Sequence, residues 1–223
     1  DAGEGESTFT SDLSVTSFDT TQADVDESWI EYCTDMAYAW EKEMISGETP
    51  ASAAYPFAVT ESLHISGAPI VTVRASADQP TGILSAMLVD VAPEGGMDAV
   101  MLEEYGEAVA TETTSAGALW QGGGLENLDV TQFALTHTDA KIITRGWMDI
   151  QNRTSIYQVD TVEPGTAYDF TLELQPIDYT VQAGHKLVLV LYSTDAEVTY
   201  WPETVTNFTV DNTKTSVTLP VLP

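Results

Sequence analysis

From residue 56 to the C-terminus, apolar positions recur mostly with period two, in runs rich in Val, Ile, Thr, Leu and Tyr interrupted by Gly, Pro, Asn and Asp. That pattern predicts strands rather than helices. In Val71–Ser76, Val71 and Val73 alternate with Thr72 and Arg74, which gives a strand one solvated face. Ile83–Val91 is apolar on both faces, as a central strand requires, and Ala92–Gly96 closes it with a turn. Tyr168, Phe170, Leu172 and Leu174 alternate with Asp169, Thr171 and Glu173. Further strands are predicted near Leu128–Leu135, Ala140–Met148, His185–Ser193, Val198–Tyr200, Thr204–Val210 and Thr215–Val221. Their brackets are turn residues such as Glu163-Pro164-Gly165, Ala183-Gly184 and Asp211-Asn212. Met97–Thr114 reads as a strand followed by an irregular connection, and Gln121–Gly124 as a glycine loop.

Ahead of residue 50 the period changes. Trp29, Cys33, Met36, Trp40 and Met44 recur at spacings of three and four, the stripe of a helix packed on a sheet. Asp24 with Glu27 has capping-box character, and Gly47 followed by Pro50 supplies the stop. This places one helical insert near residues 25–46. Phe9, Leu13, Val15 and Phe18 mark a first strand region, while Asp1–Ser7, rich in Gly and Glu, suits a flexible lead. The reading is a single domain over residues 8–223. About ten short strands and one helix imply an all-β, two-sheet sandwich with a jelly roll as the leading topology.

Charge narrows the partners. The chain carries 35 acidic residues against 7 basic ones, a net −28, so its field is strongly negative. Lys42, Arg74, Lys141, Arg145, Arg153, Lys186 and Lys214 are scattered, and no basic patch forms from sequence neighbours, which argues against nucleic acid and against anionic membrane. The acidity itself reads as solubility or as adaptation to salty or acidic surroundings. Cys33 is the sole cysteine, so no internal disulfide exists, and its apolar stripe suggests an inert thiol. Residues 1–30 lack the features of a signal peptide, and no run approaches the roughly eighteen apolar residues of a membrane span. A cytoplasmic setting is the expectation.

The chain offers little chemistry. A strained nucleophile elbow of the GxSxG type is absent. His64, His137 and His185 sit in or beside predicted strands without metal-ligand spacing. Acidic loops could bind calcium, yet no EF-hand spacing is present. No catalytic, cofactor-binding or metal residue is assigned, and no cofactor is expected. Trp120, Trp147 and Trp201 support a rival reading, a carbohydrate-binding module whose aromatic rings cover sugar faces.

Three segments carry a resemblance: ISGAPIVTVRASADQPTGILSAMLVDV over Ile65–Val91, RGWMDIQNRTS over Arg145–Ser155, and LQPIDYTVQAGHKLVLVLYSTD over Leu174–Asp195. In order and spacing they resemble the C-terminal domain of X-prolyl dipeptidyl aminopeptidases of lactic acid bacteria, from about Ile65 to the chain end. Cocaine esterases and α-amino acid ester hydrolases carry similar domains. The resemblance implies a galactose-binding-like jelly roll and a non-catalytic accessory role. The parent would be a cytosolic homodimeric serine peptidase that removes X-Pro dipeptides from the amino termini of proline-containing peptides. Its Ser, Asp and His triad would lie in an upstream α/β-hydrolase domain, and His185 in AGHKL is not the triad histidine. Arg145, Trp147, Asn152 and Arg153 combine an aromatic, an amide and two of the seven basic residues, the composition of an interface hot spot. They are the expected contact with the catalytic domain, or a brace for the local turn; pairing of Arg145 or Arg153 with Asp149 is the internal alternative.

Overall fold

The computed structural model describes residues 2–11, 52–100, 110–121, 124–193, 199 and 204–222. The helical insert near 25–46, the positions Leu13–Phe18, and Val198 with Tyr200 lie outside the described residues. Within them the regular structure is β, apart from one 3₁₀ turn at Ile150–Asn152.

The strands run β1 (Glu6–Thr10), β2 (Ser52–Ala58), β3 (Leu63–Gly67), β4 (Ile70–Ala77), β5 (Ile83–Val91), β6 (Met97–Val100) and β7 (Ala110–Gln121). They continue with β8 (Gly124–Phe133), β9 (Leu135–Thr138), β10 (Ala140–Asp149), β11 (Tyr168–Glu173), β12 (Ile177–Val181), β13 (Lys186–Tyr192) and β14 (Asn207–Thr218). Two four-stranded antiparallel sheets form the body, ordered β1-β14-β4-β11 and β10-β5-β13-β2. The pairs β3–β12, β6–β9 and β7–β8 form separate two-stranded sheets.

Alternation explains the packing. On β4, Val71, Val73, Ala75 and Ala77 are buried, while Thr72 and Arg74 look outward, where Arg74 reaches Asp169 of β11 at 2.9 Å. Phe170, Leu172, Phe208, Val210 and Phe9 complete that inner face, with the Phe9 and Phe208 rings stacked 4.9 Å apart. Leu84, Ala86 and Leu88 of β5 and Leu187, Leu189 and Leu191 of β13 meet them from the other sheet in one core. This is a sandwich-like arrangement in which each sheet hides one apolar face. Strand β5 spans Ile83–Val91 between β10 and β13 and is buried on both faces. Its outward residues Met87 and Val89 join Val188, Val190 and Tyr192 in a second apolar cluster.

Several expectations need correction. Glu6 and Ser7 belong to β1 and pair with Asp211 and Val210, and Ala2 donates to the Thr215 carbonyl at 2.8 Å, so the lead is tied to β14. Residues 110–114, expected to be irregular, open β7 against β8; three of the four residues Thr111–Thr114 are β-branched threonines, but they show no apolar alternation. The two strands expected at 204–210 and 215–221 are one, β14, whose pairing shifts between Asp211 and Ser216.

Candidate docking surface

Strand β10 leads into a long loop, and the way the chain leaves the strand decides the loop's shape. At Gly146 the backbone crosses the end of β11. An added Cβ would lie 3.0 Å from the Glu173 carbonyl oxygen and 3.0 Å from Leu174 Cδ2. Hydrogen bonds stitch the crossing: Gln175 N–H donates to the Arg145 carbonyl at 3.0 Å, and the Thr144 hydroxyl donates to the Gln175 carbonyl at 2.6 Å. Asp149 then caps the 3₁₀ turn by accepting from Gln151 N–H at 2.8 Å, and Ile150 plugs into the core.

Beyond the turn the loop is braced from within. Asp160 N–H donates to the Gln151 carbonyl at 2.7 Å, and the Asp160 carboxylate accepts from Thr154 N–H at 3.1 Å and Gln158 Nε2 at 2.8 Å. Hydrogen bonds from Thr154 hold the Asp160 carboxyl below its ordinary range, with Gln158 and the nearby Arg153 charge adding to the effect and partial burial opposing it. Asn152 Nδ2 donates to the Gln158 carbonyl at 2.9 Å. Arg153 donates through Nη2 to the Thr161 carbonyl at 3.0 Å and lies over the Tyr168 ring, 4.3 Å from its centroid. The Tyr168 hydroxyl accepts in turn from Glu163 N–H at 3.1 Å.

What this frame presents is apolar. Tyr157 is 93% exposed, Ile156 78% and Val159 75%, and Trp147 on the preceding strand is 37% exposed. The four residues singled out from the sequence therefore separate. Asn152 and Arg153 turn into the loop, where Arg153 engages Tyr168, Thr161 and the charge of Asp160. Arg145 is half-buried on β10 opposite Met87, and Trp147 faces solvent. Ile156, Tyr157 and Val159 were missed, because apolar residues in a sequence are first assigned to cores. Their signal was the uncharged run Thr154–Val159, set between Arg153 and Asp160 in a strongly acidic chain.

The remaining candidates are structural in their surroundings. Asp90, buried in β5, accepts from the Tyr179 hydroxyl at 2.9 Å and lies 2.8 Å from His185 Nδ1, linking β5, β12 and the turn before β13. Burial, then the hydrogen bond and charge of Asp90, raise the Tyr179 hydroxyl well above its ordinary value. Gly184, with φ at +89°, shapes the AGHKL turn that places His185. His64 pairs with Asp178, and exposed His137 lies 3.5 Å from Asp98. Among the described residues no three His, Cys, Asp or Glu side chains are grouped to hold a metal ion. A shallow groove of about 350 Å³ between strand ends is lined mainly by Phe57, Val59, Leu63, Leu187, Val217 and Leu219. Trp29, Trp40, Trp201 and Cys33 lie outside the described residues; Trp120 lies in β7. No helix among the described residues is long and apolar enough to cross a membrane.

Comparison with known proteins places this geometry in context. The family model described as the X-Pro dipeptidyl-peptidase C-terminal non-catalytic domain matches residues 2–220. Xaa-Pro dipeptidyl-peptidase of Lacticaseibacillus rhamnosus is 33% identical over 158 residues, which is 70% of this chain and 19% of that protein. The chain thus spans about a fifth of the length of such relatives. An aminopeptidase from a marine sediment Thaumarchaeota archaeon aligns with a TM-score of 0.57 at 12% identity, over 100% of this chain and 34% of its own. A selenomethionine-labelled α-amino acid ester hydrolase aligns with a TM-score of 0.56 at 18% identity, over 98% of this chain and 33% of its own. At those identities the likeness is one of fold.

Proposed function

The chain belongs to the X-Pro dipeptidyl-peptidase C-terminal non-catalytic domain family, and from that premise we propose that it is the accessory domain of a longer serine exopeptidase releasing X-Pro dipeptides from peptide amino termini. It packs on an α/β-hydrolase domain that supplies the Ser, Asp and His triad, and the parent acts as a cytoplasmic homodimer. One jelly-roll unit, with Glu6–Thr10 as its first strand, carries a helical insert near 25–46; two four-stranded antiparallel sheets sharing one core support that topology. The observation that carries the reading is the family match over residues 2–220. The surface around Arg145, Trp147, Asn152 and Arg153, with its exposed apolar loop, is where the domain meets its hydrolase.

The test sets the full-length protein beside the separate domain. Full-length protein is expected to hydrolyse a Gly-Pro anilide and to be inactivated by a serine-directed phosphonate, while the separate domain shows no turnover. Phosphonate-sensitive turnover by the separate domain would sink the reading. So would a full-length protein that saturably binds an oligosaccharide and releases no X-Pro dipeptide.

A further inference from the structure

We infer that the loop Arg153–Asp160 is the anchor by which this domain is fixed to the hydrolase portion, with Ile156 and Tyr157 inserted into an apolar cleft there. The inference rests on the reading above and names its contact.

Exposure supplies the first ground. Single exposed apolar residues are ordinary on soluble proteins. Here Ile156, Tyr157 and Val159 crowd one loop tip at 78%, 93% and 75% exposure. Clustered exposed apolar surface marks interaction sites, and a Tyr beside a β-branched residue has the amphipathic bulk of a binding anchor.

Order supplies the second. A loop that stiffens only on binding loses affinity to its own lost entropy. This tip is already held: Gln158 N–H donates to the Ser155 carbonyl at 3.1 Å, Tyr157 N–H to Ser155 Oγ at 3.2 Å, and Asn152 and Asp160 clasp both arms. The side chains are presented on a preorganised frame.

Charge identifies the occupant. Thr154–Val159 contains no charged residue, although the chain carries a net −28. Arg153 is drawn inward under the tip, and the Asp160 carboxylate is occupied by Thr154 and Gln158. A charge-free centre is what an interface core requires. A second copy of the domain would bring another 28 negative charges against the first, a repulsion that disfavours self-association through this face. About four-fifths of the length of such relatives lies outside the stretch this chain matches, and the hydrolase portion within that remainder is the surface to which the tip commits.

The experiment uses full-length protein: wild type, the double variant Ile156→Asp with Tyr157→Asp, the conservative Tyr157→Phe, and Leu135→Asp, which adds charge at another exposed apolar site on β9. Calorimetry and limited proteolysis report whether the domain melts and is released with the rest. Wild type, Tyr157→Phe and Leu135→Asp are expected to melt in one coupled transition. The double variant should split that transition in two and raise domain release by roughly tenfold or more, as loss of a central anchor does. A double variant that keeps the wild-type coupling and proteolytic resistance would overturn the anchor while leaving the accessory-domain reading standing. A wild-type protein in which this domain already melts independently would overturn both. If sedimentation shows the double variant losing only its dimer, with intrachain coupling intact, the tip seats on a second copy and the inference fails.

Discussion

Arg153 works beneath the loop rather than on its surface. Its guanidinium covers the Tyr168 ring and donates to the Thr161 carbonyl, and its charge acts on Asp160, the acid that closes the loop by accepting from Thr154 and Gln158. Those bonds favour the ionised carboxylate, so the folded Asp160 titrates below the unfolded one. A depressed folded value means the contribution is fully present above the ordinary aspartate range, near pH 4, and disappears as pH falls through the lower folded value. Urea midpoints measured from pH 6 down to pH 2 should fall for the wild type. Asp160→Asn should start from a lower midpoint at neutral pH and show a shallower acid decline; an unchanged decline would show that the brace does not depend on the charge. The residues legible here as candidates, Arg145 to Arg153, were marked by their scarcity in an acidic chain. The exposed trio was not, because nothing in the letters Ile156, Tyr157 and Val159 distinguishes a displayed side chain from a buried one until the hydrogen bonds around them are known.

Strands differed in how openly the sequence declared them, and the difference follows from burial. Both faces of β5 are covered, so it is apolar on both sides except at buried Ser85 and Asp90, and β4 and β11 each have one covered face, so they alternate cleanly. Strand β14 hid its unity. Asp211 accepts from both Thr213 N–H and Thr213 Oγ1, a local turn-like contact inside the strand that reads as a break between two strands. The short β3 and β12 pair only with each other in the sheet order, beside Gly67 and Pro176, and offered too little periodicity to stand out. The RGW stretch, recognisable before its role was known, owes its glycine to the β10–β11 crossing. Gly146→Ala would bring a methyl to 3.0 Å from the Glu173 carbonyl oxygen and 3.1 Å from Leu174 Cα, backbone atoms held by the hydrogen bonds of the crossing. We expect a loss of about 1–3 kcal/mol, the usual effect of overpacking, seen as a lower urea midpoint with an unchanged slope. A substitution without effect would mean that the two strands separate freely, contrary to the bonds joining Thr144 and Arg145 to Gln175.

At the scale of the whole chain, the net charge of −28 opposes folding, because compaction brings like charges together. Salt acts on this repulsion and on attractive pairs alike, and the balance is set by their numbers. With 35 acids and 7 basic residues, at most a few exposed pairs such as Arg74 with Asp169 can weaken on screening, each worth about 1 kcal/mol or less. Repulsions among the unpaired acids are far more numerous, and they decay as the Debye length contracts from about 10 Å at 0.1 M to about 3 Å at 1 M. The melting temperature should therefore rise steadily between those concentrations of sodium chloride. A neutral osmolyte at matched osmolality stabilises by exclusion from the surface and should not reproduce the steep early part of the rise. A melting temperature that is flat or falling over that range would show that attractive pairs, not the excess of acids, dominate the electrostatics of the fold. The same screening should leave the neutral tip at Ile156 and Tyr157 unaffected, so coupling to the hydrolase through that tip should persist at 1 M salt, where long-range electrostatic steering is lost.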